Sequence, residues 1–341
     1  MNFFDKIVGN HALKERLTRD IESNSLSHAY IIEGPRGSGR HTIALTATAA
    51  IACQQRGISD KVPCGQCANC RKITSGQSPD VSFIALEEDK ATIGIEAIRN
   101  IKNDLCVAPN DLDVKVYIID DADKLTVQAQ NAFLLSLEEP PHYVIFFLIC
   151  ENSSSLLETV RSRAPALRTE MIGDVELENY ILSNDKRAVE LKEQSPEDFN
   201  TLVRISSGCI GHALDLLDSR HRKATFDCRR VALDIISMLS SPNRSAVFQT
   251  VISMGSKRQE INRQIVFLQY AIRDLLLLKR SEDISLCFFD DIEAASELAT
   301  HYTSKQLIDL YDATLTAIED LERNANVRLT LISMMQNANL I

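Results

Sequence analysis

The chain has 341 residues, enough for two or three domains, and 45% of them are apolar and 25% charged, as is usual for a globular protein. No apolar run approaches the roughly 18 residues of a membrane span, and the first ten residues lack the pattern of a signal peptide, so we expect a cytoplasmic protein. The net charge of −10 disfavours nonspecific DNA binding by the whole chain, because phosphate neutralisation dominates that affinity.

The first half of the sequence alternates short apolar runs with helical patterns. Three runs, Ala29–Ile32, Val116–Ile119 and Val144–Ile149, are predicted strands, and a helix is predicted over 126–137. Strands separated by helices form parallel sheets that are covered on both faces. The sequence therefore predicts an α/β domain over residues 1–171.

A glycine-rich loop, GPRGSGRH, follows the first predicted strand. Gly34 and Gly39 have the spacing of the phosphate loop G-x-x-x-x-G-K-[ST], whose backbone N–H groups surround a phosphate at a helix N-terminus. Arg40 replaces the lysine and His41 replaces the hydroxyl that binds Mg²⁺, a cation that prefers hard oxygen ligands. We therefore predict a vestigial phosphate loop that does not hydrolyse ATP, with weak nucleotide binding or a simple glycine turn left open. Its residues are Gly34, Pro35, Gly37, Gly39, Arg40 and His41.

Four of the nine cysteines are close in sequence, with the spacing C-x10-C-x2-C-x2-C at Cys53, Cys64, Cys67 and Cys70. Four thiolates can close a tetrahedral structural zinc site, whereas a cytosolic chain is not expected to contain a disulfide framework. A ferredoxin-type iron–sulfur cluster would need a cysteine at position 74, where Thr74 stands. The spacing thus favours zinc. The other cysteines are predicted core residues: Cys106, Cys150, Cys209, Cys228 and Cys287.

The second predicted strand ends in an acidic pair, Asp120 and Asp121, within VYIIDDADKL. Ligands of α/β proteins bind beside the carboxyl ends of the strands. In an ATPase of this type the first acid supports Mg²⁺ and the second, usually glutamate, polarises the attacking water. We interpret the pair as Walker B-like, with ordinary strand-end acids as the alternative, and Asp121 is one methylene shorter than glutamate.

Strand-like runs disappear after residue 172, and two helical domains are predicted, over 172–228 and 229–341. Apolar residues recur every three or four positions from Ile261 to Leu275 and from Leu307 to Leu321, and Ser304 is a predicted N-cap. A basic stretch lies near the boundary, and a solvated helix face is favoured over a DNA or partner surface. Its residues are Arg220, Arg222, Lys223, Arg229 and Arg230.

Several segments resemble one protein family. NAFLLSLEEPP at 131–141, LLETVRSRA at 156–164 and SHAYIIEGPRGSGR at 27–40 are similar to segments of bacterial DNA polymerase III clamp-loader subunits, which are AAA+ proteins. The resemblance runs nearly end to end, and the degenerate phosphate loop places it closer to the delta-prime branch than to the ATP-hydrolysing gamma/tau branch. It implies a RecA-like AAA+ sheet with a zinc insertion at 53–70, then a helical lid domain and a helical collar domain that oligomerises.

The same resemblance implies roles for single residues. A serine–arginine–cysteine motif of the family supplies an arginine finger to ATP bound by the next subunit, and by position Arg163 is that finger here, with Arg161 as its competitor. Ala164 replaces the cysteine of the motif. Cys150 and His212 stand where ATP-binding relatives carry two sensor residues, although both can equally be packing or surface residues. These departures agree with the loss of ATP hydrolysis.

The resemblance also implies partners: gamma/tau and delta subunits, and, through the complex, the sliding clamp and primed DNA, within the DNA polymerase III holoenzyme. Two other functions stay open. The first is an active gamma/tau-like ATPase, which would have to tolerate Arg40 and His41. The second is a zinc-dependent nucleic-acid adaptor, which the charge of −10 disfavours.

Overall fold

The computed structural model describes residues 7–59, 61–87, 90–239, 257–280 and 286–338, together with Phe4 and Met254. The chain forms two compact units, Met1–Tyr180 with Gly208–His212, and Ile181–Ser207 with Ala213–Ile341. The domain boundaries predicted at residues 171 and 228 stay predictions. Parts of the predicted collar domain lie outside the described residues, namely 240–253, 255–256, 281–285 and 339–341.

The first unit contains a five-stranded sheet in the order β2-β3-β4-β1-β5, and every pair of neighbouring strands is parallel. The strands are β1 (Ala29–Glu33), β2 (Val81–Ile84), β3 (Lys115–Ile119), β4 (Val144–Cys150) and β5 (Ala166–Arg168). The three predicted strands are confirmed to within one residue at each end. The two edge strands, β2 and β5, were not predicted, because they are only four and three residues long.

Both faces of the sheet are covered, which explains why its central strands are apolar throughout. Tyr30 and Ile32 of β1 pack into one core cluster, and Ala29 and Ile31 pack into another on the opposite face. The first cluster includes residues of α1 and α2, and the second includes residues of α4 and α5. The predicted α/β class, a parallel sheet covered by helices on both faces, is confirmed. The helices of this part are α1 (His11–Glu22), α2 (Arg40–Ile51), α3 (Ala68–Thr74), α4 (Ile95–Asp104), α5 (Val127–Glu138) and α6 (Glu158–Arg161).

The rest of the described chain is helical, as predicted. Helix α12 packs against α11, α13 and α14, and the predicted apolar stripe of α12 from Ile261 to Leu275 is buried. None of the described helices is long and apolar enough to cross a membrane. The helices are α7 (Asp174–Asn184), α8 (Lys186–Gln194), α9 (Pro196–Ile205), α10 (Ile210–Leu216), α11 (Ser219–Leu239), α12 (Arg258–Leu278), α13 (Ile292–Thr300), α14 (Ser304–Glu322) and α15 (Val327–Asn337).

Two details of α14 differ from the predictions. Its N-cap is Thr303 rather than Ser304, and the Thr303 hydroxyl accepts a hydrogen bond from the Gln306 N–H within a full capping box. The predicted stripe is also shifted, because Leu315 is 43% exposed while Ala313, Thr314 and Ala317 are buried. Small residues therefore form much of the buried face of this helix, which a pattern of large apolar residues does not reveal.

Candidate functional site

The predicted phosphate loop connects β1 to α2. Gly37 and Gly39 have φ angles of 81° and 83°, in the left-handed region where glycine carries no steric penalty, and Gly39 is the N-cap of α2. The Gly34 N–H donates to the Cys150 carbonyl (3.2 Å), which fixes the start of the loop against the end of β4. The loop thus keeps the glycine conformations and the helix N-terminus on which phosphate loops depend.

The turn that leads into α10 packs directly on this loop. The Gly211 N–H donates to the Gly37 carbonyl (2.8 Å), and a Cβ atom added at Gly37 would lie 2.7 Å from the His212 nitrogen. A Cβ added at Gly211 would lie 2.8 Å from the Gly37 Cα. Only glycine permits such a close approach from both sides, and His212 is thereby placed beside the loop.

Arg40 and His41, which replace the lysine and the hydroxyl of the motif, have different surroundings. Arg40 is only 7% exposed, and within the described part of the chain no carboxylate lies within 4.0 Å of its guanidinium. Burial and, to a smaller extent, the nearby charges of Asp123 and Glu33 raise the pKa of Cys150 to about 12, and the Arg40 charge acts in the opposite direction. The His41 ring stacks on Phe83 of β2, with 5.4 Å between the ring centroids. Arg40 therefore carries a buried positive charge, whereas His41 serves a packing contact.

The acidic pair lies at the carboxyl end of β3, as predicted. The Asp120 N–H donates to the Ile84 carbonyl (2.7 Å), and Asp121 adopts a left-handed conformation with φ 49°. Arg36, a loop residue that sequence reasoning overlooked, lies 3.7 Å from an Asp121 carboxylate oxygen and 3.6 Å from one of Glu151. The Asp121 carboxylate thus faces a cation of its own chain. The presence of the basic residue Arg36 inside the loop motif was the sequence feature that could have revealed this ion pair.

Arg163 lies just after α6 and has local partners. Its guanidinium donates to the Thr159 carbonyl (2.8 Å) and pairs with the Glu138 carboxylate at the end of α5, and its side chain is 32% exposed. Within the described residues Arg163 contacts no residue of the phosphate loop. Glu138 was not singled out from the sequence, although it lies in the LEEPP segment.

The four clustered cysteines meet where α2 ends and α3 begins. Their Sγ atoms all lie within 4.8 Å of one another. Backbone N–H groups donate to three of them, with distances of 3.5 Å to Cys53, 3.3 Å to Cys64 and 3.4 Å to Cys67. Zinc bound at about 2.3 Å by four thiolates requires sulfur–sulfur distances of roughly 3.8 Å. The cluster can therefore hold a metal ion after small shifts of the side chains, and it offers only thiol ligands.

The environment of the cluster affects its thiols unequally. Burial raises the pKa values of Cys53 and Cys70. Burial also acts to raise the pKa of Cys67, but N–H groups of Cys70 and Gln54 and the neighbouring thiols lower it to about 6. These contacts favour the thiolate form of Cys67, which is the form that binds a metal.

The five cysteines outside the cluster differ in their exposure to solvent. Cys150, Cys209 and Cys228 are buried as predicted, Cys287 is half-buried, and the prediction for Cys106 was wrong because it is exposed.

The basic stretch is largely used for internal contacts. Arg229 donates to the Phe288 carbonyl and pairs with Asp290 (2.7 Å), and Arg222 donates to the last carbonyls of α10. Arg220, Lys223 and Arg230 are exposed, in agreement with the predicted solvated helix face, whereas Arg222 and Arg229 differ from it through these internal contacts.

Comparison with known proteins gives consistent matches. Residues 9–172 match the protein family described as "DNA polymerase III, delta subunit". The chain is 31% identical over 218 residues to DNA polymerase III subunit tau of Bacillus subtilis, covering 63% of this chain and 37% of tau. It is 26% identical over 317 residues to subunit delta' of the same organism, covering 92% of this chain and 91% of delta'. Among solved structures, a DNA polymerase III gamma subunit-related protein from Thermotoga maritima has a TM-score of 0.47 and 18% identity, covering 95% of this chain and 97% of that one.

Proposed function

This chain belongs to the family of bacterial DNA polymerase III clamp-loader subunits that contains delta', gamma and tau, and from that membership we propose that it is a subunit of the delta-prime type. It does not hydrolyse ATP itself, and it supplies Arg163 in trans to ATP bound by a neighbouring gamma/tau subunit. In that position a guanidinium pairs with phosphate oxygens and stabilises the charge of the transition state.

The observation that carries this proposal is the contrast between Arg163 and the chain's own phosphate loop. Arg163 contacts none of the described loop residues and is partly exposed, so its guanidinium is available to another molecule. The loop, by contrast, lacks the lysine and hydroxyl that phosphoryl transfer requires. Arg36 beside Asp121 and the Gly211 contact on Gly37 further disfavour catalysis in this loop.

Zinc is the metal we propose for the cysteine cluster, held by Cys53, Cys64, Cys67 and Cys70. Four thiolates leave no open coordination position, so the metal stabilises the fold and takes no part in a reaction. It would join the segment between α2 and α3 to the end of α2 through Cys53.

In the proposed assembly the chain works with gamma/tau and delta subunits in the cytoplasm. The complex opens the sliding clamp and places it on primed DNA, and the C-terminal helices form the collar through which the subunits associate. The lid and collar domains extend over 172–228 and 229–341. The chain spans only 37% of the length of the tau relative, so the activity of that whole protein is not assigned to this chain.

The proposed finger is tested by Arg163→Ala in a complex reconstituted with gamma/tau and delta. Single-turnover hydrolysis at the neighbouring ATP site should slow on the order of 10³-fold, while ATP binding is retained, because the arginine acts mainly on the transition state. Rapid-quench measurement of phosphate release reads this rate. Arg161→Ala is the matched control and should retain the wild-type rate. An unchanged rate in Arg163→Ala would exclude the finger.

The active-ATPase alternative is favoured by the 31% identity to tau. Titration of the purified chain with ATP and Mg²⁺ is a simpler experiment that distinguishes this alternative from the proposed function. Tight binding with turnover at a motor-like rate would support the ATPase, and we expect no turnover.

A further inference from the structure

The guanidinium of Arg163 is held by a carboxylate on a different helix. One terminal nitrogen donates to the Thr159 carbonyl (2.8 Å) within its own segment, and the other pairs with Glu138, the last residue of α5. Glu138 and Arg163 are 25 positions apart in sequence, so this pair is a tertiary contact. Both side chains are partly exposed, at 43% and 32%. The pair therefore fixes a direction for Arg163 without being needed for the stability of the core.

A second contact ties the same segment to the same helix. Gln130, in the first turn of α5, is only 3% exposed. Its side-chain oxygen accepts from the Leu157 N–H (2.7 Å), and its nitrogen donates to the Leu125 carbonyl (3.1 Å). Helix α5 thus holds the segment 157–163 at both ends, through Gln130 at the beginning of the segment and Glu138 at its last residue.

The pairing leaves Arg163 able to bind an anion. A guanidinium has five N–H donors, and each terminal nitrogen carries two. One terminal nitrogen donates to the Thr159 carbonyl and to the Ser162 hydroxyl (3.4 Å), and the other uses one donor on Glu138. The second donor of that other nitrogen can therefore bind a phosphate while these contacts persist. A long side chain that is already ordered loses less conformational freedom on binding than a mobile one.

We propose that Glu138 is a positioning residue for Arg163: its carboxylate holds the guanidinium in the orientation in which it meets the phosphates of the neighbouring subunit's ATP. This inference rests on the proposed function of Arg163 as a finger in trans. Glu138 itself touches neither ATP nor the reacting atoms, and it acts through Arg163 alone.

The test uses Glu138→Gln in the reconstituted complex, with Glu139→Gln as the matched control. The neighbouring Glu139 is also exposed, and among the described residues its side chain forms no hydrogen bond or ion pair. Loss of one partly exposed charge pair should slow single-turnover ATP hydrolysis by about threefold to fivefold. The KM for ATP should stay unchanged, because positioning affects the transition state more than ATP binding. Glu139→Gln should retain the wild-type rate, and Glu138→Asp should recover part of the loss.

A double variant distinguishes positioning from a structural role. In an Arg163→Ala background, Glu138→Gln should cause no further loss, because the residue through which it acts is already gone. An additional loss there, a wild-type rate in Glu138→Gln alone, or a faster rate would each overturn the proposal. A faster rate would mean that the carboxylate sequesters Arg163 instead. If Arg163→Ala itself has no effect, the proposed function fails first, and that result is distinguishable from failure of Glu138 alone.

Discussion

Helix α2 has a candidate site at each end, and the two sites preserve different things. At its N-terminus the phosphate loop retains the left-handed glycines Gly37 and Gly39 but lacks the side chains of phosphoryl transfer. Beyond its C-terminus, Cys53 joins three other cysteines whose sulfur atoms lie within 4.8 Å of one another. The phosphate loop retains its backbone conformation without the catalytic side chains, and the cysteine cluster retains a full set of four metal ligands.

A phosphate loop can therefore keep its backbone conformation without the side chains needed for catalysis. The glycines of the phosphate loop serve the fold as well, because Gly37 receives the Gly211 N–H at a distance where no side chain fits. This packing role preserves the loop conformation independently of ATP hydrolysis. The thiolates of a tetrahedral metal site have no comparable packing role. Such a site therefore requires all four cysteines together.

The largest expected effect follows from removal of the metal. Zinc at 1,000 times its dissociation constant stabilises a folded protein by about 4 kcal/mol, so a chelator or Cys67→Ser should lower the free energy of unfolding by about this amount. Denaturant unfolding and metal analysis measure the two quantities. Cys106→Ser, at an exposed cysteine outside the cluster, should keep one zinc per chain. Full stability without metal would remove the structural role of the cluster.

A smaller loss of stability is expected when one glycine in each site is replaced by alanine. Gly37 and Gly65 both have positive φ angles, 81° and 69°, but only Gly37 has backbone within 4 Å of the added Cβ. Both substitutions to alanine should cost about 1–2 kcal/mol for the left-handed conformation. Gly37→Ala should cost roughly 1–3 kcal/mol more, because the loop and the turn at Gly211 must separate. Urea unfolding of both variants measures the difference, and equal losses would contradict the close packing of the loop.

The smallest effect is expected from an attempt to restore the phosphate loop. Arg40→Lys combined with His41→Thr recreates the motif, yet Cys150, the Arg36–Asp121 pair and the Gly211 contact remain. We expect nucleotide affinity to rise by less than about tenfold, which corresponds to about 1.4 kcal/mol. Binding of a fluorescent nucleotide and phosphate release measure binding and turnover. Turnover at a motor-like rate would show that the two substitutions alone account for the loss.

The central strands could be predicted from the sequence because they are buried on both faces and therefore read as continuous apolar runs. The edge strands β2 and β5 are too short to give such a signal. The start of α14 was misplaced by one residue, since Thr303 and Ser304 are both good caps and only the reciprocal bond with Gln306 selects between them. Cys106 was assigned to the core from residue type alone, which does not determine burial.

Residue types and their spacing were enough to predict the kind of chemistry at each site: a phosphate loop without its lysine, an acidic strand end, and four cysteines at metal-binding spacing. These follow from residue identity and local spacing, which are properties of the chain. Three contacts could not be predicted in this way and became visible in the folded chain: Arg36 faces Asp121, Gly211 lies on Gly37, and Glu138 pairs with Arg163. Each of these pairs joins residues that are distant in sequence, and their proximity arises from the packing of helices on a shared sheet.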